Sequence, residues 1–393
     1  MDAHLAGWLG LALRWGHVIT GIAWIGTSFY FNWLNSRMAL PSRAEAGVSG
    51  ELWSVHGGGF YRVVKYSVAP ERLPQTLHWF KWEAYFTWFT GFLLLVLIYY
   101  LQADAYLVRP GISGATAVAV GLATLLVSWL VYDVLCRSPL AGVPAALGAA
   151  IFLLFTALAW ALTQVMSPRA AYLHMGAAIG TIMAANVFAV IIPSQRRMVD
   201  ALSHGRAPDG REGLQAALRS LHNNYFTLPV VFTMVSGHSP GTYGHAWGWA
   251  ILAGLALVGV GTRHWFNLRN QGRRAAWLLP AAGLGLATLA FLTAPSPAAR
   301  AAADDQGVSF GAVRVVIAQR CAPCHSSAPT LPGFTAPAAG IAFDTPDQIR
   351  GQAERIQAVA VAAETMPLGN LTEMTADERA LIGRWVRGGA ALR

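Results

Sequence analysis

Ala145-Ala146-Leu147-Gly148-Ala149-Ala150-Ile151-Phe152-Leu153-Leu154-Phe155-Thr156-Ala157-Leu158-Ala159-Trp160-Ala161-Leu162 carries no ionisable side chain, and the uncharged sequence around it extends from 141 to 165. A helix needs roughly 20 such residues to cross the ~30 Å hydrocarbon core of a bilayer, where it must satisfy its own backbone amides. The stretch therefore reads as a membrane span. Comparable stretches lie near 6–34, 79–101, 115–136, 171–193, 224–239, 247–268 and 276–294, about eight in all. The sixth is the weakest, because its apolar core runs only from Tyr225 to Val235 and contains Pro229. Composition agrees. Of 393 residues, 55% are hydrophobic and 12% charged, half the ~25% charged content of soluble domains. A soluble globular protein and a disordered chain are both excluded. Three cysteines exclude a disulfide framework.

Charge placement orients the spans. With the N-terminus outside, loops 35–78, 137–140, 194–223 and 269–275 face the cytoplasm and carry 5, 1, 5 and 3 Lys or Arg residues. The outer loops 102–114, 166–170 and 240–246 carry 1, 1 and 0. That asymmetry is the positive-inside pattern, and it supports the sixth span, without which the Arg-rich loops on either side would fall on opposite faces. The opening Met1-Asp2-Ala3-His4 lacks the basic segment of a cleaved signal peptide, so the first span is expected to be retained. The net charge of +9 is thus a matter of orientation, and no nucleic-acid partner is implied.

Beyond the membrane region (1–294), residues 295–308 read as a Pro- and Ala-rich linker, and 309–393 as a small soluble domain. Cys321-Ala322-Pro323-Cys324-His325 in that domain is a c-type heme attachment signature. Two thiols add to the heme vinyl groups and the adjacent imidazole reaches the iron. A zinc site would want further ligands, and this domain has no other Cys or His. Met366, followed by Pro367, is the expected sixth ligand, with Met374 as rival; thioether ligation raises the potential and suits electron transfer. Thr375-x-x-Glu378 has the form of a capping box opening a last helix, whose Leu381, Ile382, Trp385 and Val386 form one apolar face. The fold expected is all-α: a polytopic bundle of about eight transmembrane helices with a C-terminal class I cytochrome c domain.

Ionisable groups inside spans are costly and mark candidate sites. Arg14, His17, His174, His238 and His245 fall toward the outer side; His78, Lys81, Glu83, Arg263 and His264 toward the cytoplasm. His17 is open to three roles: heme b ligation, substrate binding or an interhelical hydrogen bond. His78 and Lys81, three apart, are expected on one helix face. Asn223-Asn224-Tyr225-Phe226-Thr227 opens the sixth span; its amides either cap the helix or read the edges of a planar heterocycle. Pro229 is expected to break the helical ladder nearby. Asn186 and Thr181 rank lower, Asp133 with Arg137 reads as a terminal pair, and Cys136 as an inert small residue.

Three membrane motifs carry a family resemblance: Arg14-Trp15-Gly16-His17-Val18-Ile19-Thr20-Gly21-Ile22-Ala23-Trp24-Ile25-Gly26, Leu77-His78-Trp79-Phe80-Lys81-Trp82-Glu83-Ala84-Tyr85, and Asn223-Asn224-Tyr225-Phe226-Thr227-Leu228-Pro229. Taken in that order, with the heme motif behind them, they resemble the bacterial membrane-bound urate oxidases (urate hydroxylases) fused to cytochrome c. The resemblance implies oxidation of urate to 5-hydroxyisourate, with electrons passed singly to heme c and on to a cytochrome oxidase or soluble cytochrome c. It implies a multi-pass protein of the bacterial inner membrane with the N-terminus and cytochrome domain periplasmic. Urate is a planar monoanion, so its site needs a cation, amide-type partners and aromatic packing. On that basis His17, His78, Lys81 and Glu83 are the catalytic candidates. Arg14, Trp24, Asn223, Asn224, Thr227 and His174 are the substrate-binding candidates, and Cys321, Cys324, His325 and Met366 the heme c ligands. A heme b held by membrane histidines is left open, as is a homodimer. Two other readings compete: a diheme b/c electron-transfer module serving a quinol or a separate dehydrogenase, and a purine transporter with an appended cytochrome.

Overall fold

The computed structural model describes residues 3–294, apart from 44 and 110, and 308–392, apart from 332, 333 and 335. Met1, Asp2 and the expected linker, save Val308, lie outside the described residues. The long helices are α1 (Ala3–Arg37), α2 (Trp82–Leu95), α3 (Gly114–Arg137), α4 (Pro144–Val165), α5 (Pro168–Ala185), α6 (Gly210–Val235), α7 (Gly248–Asn270), α8 (Leu278–Leu292), α9 (Phe310–Arg320) and α10 (Ala376–Arg387). Two of them continue through π-helical turns: α2 through Val96–Tyr100, and α5 through Asn186–Ile191 into a helix ending at Ser203. Local chemistry sets several starts. Ser113 caps α3 by accepting from Thr116 N–H, Pro144 opens α4, and Ser167 caps α5 just ahead of Pro168.

Among the described residues, four helices are long and apolar enough to cross a membrane: Trp82–Tyr100, Gly114–Arg137, Pro144–Val165 and Pro168–Ser203. The other four expected spans also fall on helices. Polar side chains dilute α1, α6 and α7, and α8 has only 15 residues. Packing is densest around α5, which lies against α2, α3, α4 and α6 and contributes buried Ala170, Tyr172, Met175 and Ile182. Gly176 permits the crossing with α6, since a Cβ there would collide with Thr233. Leu126, Leu153, Trp160, Leu257 and Phe291 point outward, an apolar exterior that lipid accommodates and water does not.

Four expectations are corrected. First, the described residues are nearly all-α, as expected, with one exception: β1 (Val48–His56) and β2 (Gly59–Tyr66) form an antiparallel hairpin in loop 35–78. Gly57 and Gly58 turn it with φ of 57° and 82°, values that suit a two-residue turn matching strand twist. Second, α2 begins at Trp82, so His78 lies in the extended lead-in and shares no helix face with Lys81. Third, loop 194–223 is mostly helical: α6 starts at Gly210, capped by Asp209, and Asn223 and Asn224 sit in its middle rather than at its cap. Fourth, α6 runs unbroken through Pro229. Gly259 of α7 faces that proline (a Cβ would lie 3.4 Å from its Cδ), so α7 buttresses the turn that lacks an N–H donor.

The C-terminal residues form a small helical domain. Phe310, Val313 and Ile317 of α9 pack on Ile382 and Trp385 of α10, with the Phe310 and Trp385 rings 5.7 Å apart. The Thr375–Glu378 capping box is formed as expected. This domain docks on one end of the bundle. Ala363 is buried in a cluster with Leu107, Tyr172 and Tyr243, and a Cβ on Gly369 would stand 2.7 Å from Ala105 Cα. The docking segments thus lie on either side of Met366.

Candidate functional site

Two polar clusters are built on α6, one on each side of the Asn223-Asn224 pair. Neighbouring residues on a helix diverge by about 100°, so adjacent amides face different helices. Asn223 turns toward α5. Its Nδ2 donates to Met183 O at 2.9 Å and its Oδ1 accepts from Asn186 Nδ2 at 2.9 Å. Asn186 Nδ2 also reaches Tyr132 Oη at 3.1 Å, and its Oδ1 accepts from Arg219 at 3.3 Å. Arg219 pairs with Asp133 at 2.6 Å and lies over the Tyr132 ring, 5.0 Å from its centroid. The Tyr132 hydroxyl bonds His222 Nδ1 at 2.8 Å, with Cys136 Sγ 3.7 Å from the same nitrogen. This network joins α3, α5 and α6, and its cation has an acid. The π turn beginning at Asn186 lies in it, a placement common where a helix carries function. Asp133 does pair with Arg137 as expected, at 2.6 Å, but its buried partner is Arg219. Cys136 is in contact with a polar group and is not merely a filler.

Asn224 turns toward α7. Its Oδ1 accepts from Arg263 Nε and from Asn267 Nδ2, both at 3.0 Å. The Arg263 guanidinium lies 3.9 Å from the centroid of the Phe29 ring on α1. All three polar residues are at least 95% buried. Yet Asn224 Nδ2, Arg263 Nη2 and Asn267 Oδ1 have no hydrogen-bond partner, and neither has Asn32 Oδ1, one turn beyond Phe29 on α1. Buried polar groups are normally satisfied, so four unpaired atoms on these facing helices call for an explanation. Thr227 is buried one turn on, with its hydroxyl donating to Asn224 O at 2.7 Å. Beside this cluster Tyr225 Oη bonds His264 Nδ1 at 2.7 Å. Tyr225, His264 and His222 are on the polar rim of an apolar cavity of about 750 Å³ between α4, α6 and α7.

The remaining candidates lie apart. His17 donates from Nδ1 to Thr87 O at 2.9 Å, with Thr90 Oγ1 at 3.2 Å, and its ring packs on Gly91, where a Cβ would come within 2.8 Å of Cε1. It therefore fastens α1 to α2. His174 is fully buried: Nδ1–H donates to Ala170 O at 2.9 Å and Nε2 accepts from Tyr100 Oη at 3.2 Å. Trp24 packs between α2, α5 and the Asn223 side. Arg14 is exposed on α1. His78 is exposed with its ring 4.6 Å from Phe80; Lys81 lies over Trp82 at 5.1 Å; Glu83 occupies the first turn of α2. His17, His78, Lys81 and Glu83 are therefore not joined into one constellation.

In the C-terminal domain His325 Nδ1 donates to Ile341 O at 3.1 Å, which fixes the ring and keeps Nε2 as the nitrogen that could ligate a metal. Cys321 and Cys324 are free thiols. Burial pushes the Cys321 thiol up to about 12 and raises Cys324 as well. Met366 is half-buried at the edge of the domain core, whereas Met374 lies fully inside it. Arg379 on α10 clamps the Met366 segment, donating to Met366 O at 2.7 Å, to Ala360 O and to Asn370 Oδ1.

Arg219, His222, Tyr132 and Asn267 were not singled out by the sequence, nor was Arg379. Spacing carried a signal for some of them. Arg219, His222 and Asn223 recur at three and four residues along α6, and Arg263 and Asn267 are four apart on α7.

The architecture is that of a helical bundle with helices long and apolar enough to cross a membrane, holding a buried cation with amides beside it. The model of the family described as urate oxidase N-terminal matches residues 3–294. The chain belongs to that family. No curated protein and no solved structure matches the chain.

Proposed function

We propose that the chain oxidises urate within the membrane bundle and passes the electrons to heme c carried by its own C-terminal domain. The observation that carries this reading is the pairing, in one chain, of the urate oxidase region with a Cys321-to-His325 motif in a domain docked on that region. The residues present fit heme c. His325 Nε2 and Met366 would hold the iron, and Cys321 and Cys324 the two vinyl positions. Bound heme supplies a one-electron acceptor of raised potential. The chain does the rest: Ile341 O orients the His325 ring, and Arg379 fixes the Met366 segment from both sides. The docked segments 357–363 and 368–370 turn the Met366 side of the domain toward the bundle.

A heme b fits less well. Both ring nitrogens of His174 are taken, and the His17 ring is packed on Gly91, so no step is assigned to it. In this reading the eight helical stretches cross the bilayer. The Arg-rich loops are cytoplasmic and the heme domain periplasmic, where an oxidase or soluble cytochrome c can collect electrons. Product forms when water adds to the two-electron-oxidised purine.

The test is anaerobic addition of urate to the oxidised, heme-loaded protein. The alpha band of ferrous heme c should appear at two heme equivalents per urate. A cytochrome that stays oxidised would refute the reading.

A further inference from the structure

We infer that Arg263, Asn224, Asn267 and Asn32 form the binding site for the substrate itself, a planar organic monoanion bearing ring N–H groups, entering from the end of the bundle that carries the Arg-rich loops. This deepens the reading above and rests on it.

Charge at Arg263 calls for an anion. Arg263 is 4% exposed, and no salt bridge among the described residues engages it. The helices around it cannot supply one. α1 and α7 contain no acidic residue, and the lone acid of α6, Glu212, is near its start and bonded to Arg197 at 2.7 Å. The contrast with Arg219, equally buried on the neighbouring face and paired to Asp133, is direct. A buried cation without a counter-ion is destabilising unless an anion arrives.

The unpaired atoms narrow the ligand further. Two are donors, Arg263 Nη2 and Asn224 Nδ2; two are acceptors, Asn267 Oδ1 and Asn32 Oδ1. A halide or a lipid phosphodiester offers acceptors only and would leave both carbonyl oxygens bare, and the hydroxyls of inorganic phosphate are not spread around a flat rim. The urate monoanion alternates C=O with N–H around its rim, so one molecule satisfies both kinds. Phe29, already stacked on the guanidinium, offers an aromatic face. Specificity follows from unpaired buried groups: a purine lacking an N–H or C=O on the matched edge would leave one of these atoms bare. Arg263 is 15 residues along α7 from Gly248, about 22 Å of helix. Electrons leaving this site therefore cross the bundle to reach the docked domain.

The experiment uses the full heme-loaded chain, reduced beforehand so that urate can bind without turnover, and measures equilibrium binding of labelled urate. The informative variant is Asn224→Asp. Its carboxylate would accept from Arg263 Nε and Nη2 together, closing the fork from within. Affinity should fall at least tenfold while the melting temperature rises, an outcome that a merely damaged fold cannot produce. Arg263→Lys keeps the charge but loses the fork, and should also bind at least tenfold more weakly. Chloride and phosphate should not displace urate from the wild type. Asn224→Asp with wild-type affinity, or with a lowered melting temperature, overturns the inference. If urate reduces the wild-type heme yet either variant binds normally, the site is wrong and the function stands. If urate neither binds nor reduces the wild type, the function is wrong and the site falls with it.

Discussion

Replacing Asp133 with Asn probes whether the Arg219 network is a structural keystone. Arg219 has a side chain 4% exposed and that of Asp133 is 14% exposed, with 2.6 Å between them. Removing one partner of such a pair leaves an uncompensated buried charge, at a cost of about 3–5 kcal/mol. The lower end applies here, because Asp133 keeps some access to water and Arg219 retains Asn186 Oδ1 at 3.3 Å and the Tyr132 ring. The introduced amide would also still offer one oxygen. A loss of about 3 kcal/mol should lower the melting temperature in detergent by roughly 5 °C or more, read by the fluorescence of the 15 tryptophans. The companion Arg219→Met in the Asp133→Asn background removes the stranded cation and should recover most of the loss. A single variant within about 1 kcal/mol of wild type, or a double variant worse than the single, would refute the assignment.

Met366→Ala should leave heme covalently attached but lower its potential, seen by redox titration; an unchanged potential would transfer the ligand role to Met374. Ala363→Trp places a large ring where Ala363 is buried against Tyr243 and Leu107, so limited proteolysis should release the C-terminal domain faster and urate should reduce it more slowly. If neither changes, the contact is incidental. Glu212 is held down to about 2 by the Arg197 guanidinium, below its ordinary 4.5. A depressed carboxylate stabilises the fold above its ordinary value and loses that effect as pH falls through its folded one. Glu212→Gln should therefore melt below wild type at pH 7, with the gap closing between about pH 4.5 and 2; a gap independent of pH would count against the pair.

Helices at all eight expected stretches were legible because apolar length is a property of single segments. The hairpin was less so, although Gly57-Gly58 between two runs of β-branched and aromatic residues is a local turn signal; it lies inside a loop whose charge is the more prominent feature. The Asn223-Asn224 motif stood out in sequence, but whether its amides cap a helix or face a site depends on where α6 starts. That start is set by Asp209, outside the apolar stretch. Partner choice was the least legible property. Arg219 and Arg263 look alike along the chain, and only the meeting of α6 with α3 gives one an acid, while the meeting of α6 with α7 leaves the other without. Arg379 was hidden for a similar reason: an arginine on an amphipathic helix is ordinarily solvated, and its carbonyl partners come from a loop folded over it.

The strip of chain around Met366 also limits how freely the small domain can be exchanged. Its residues 357–363 and 368–370 are both the flanks of the proposed iron ligand and the surface that seats the domain, with Gly369 at φ 54° pressed against Ala105. A foreign heme module grafted after residue 308 would bring its own ligand loop and so lose the seat. Conversely, reshaping the seat would disturb the ligand. Modular as it reads in sequence, the tail can be replaced only by a domain that copies this strip, and a chimera that carries residues 357–371 on a foreign cytochrome c scaffold is the smallest transplant expected to dock.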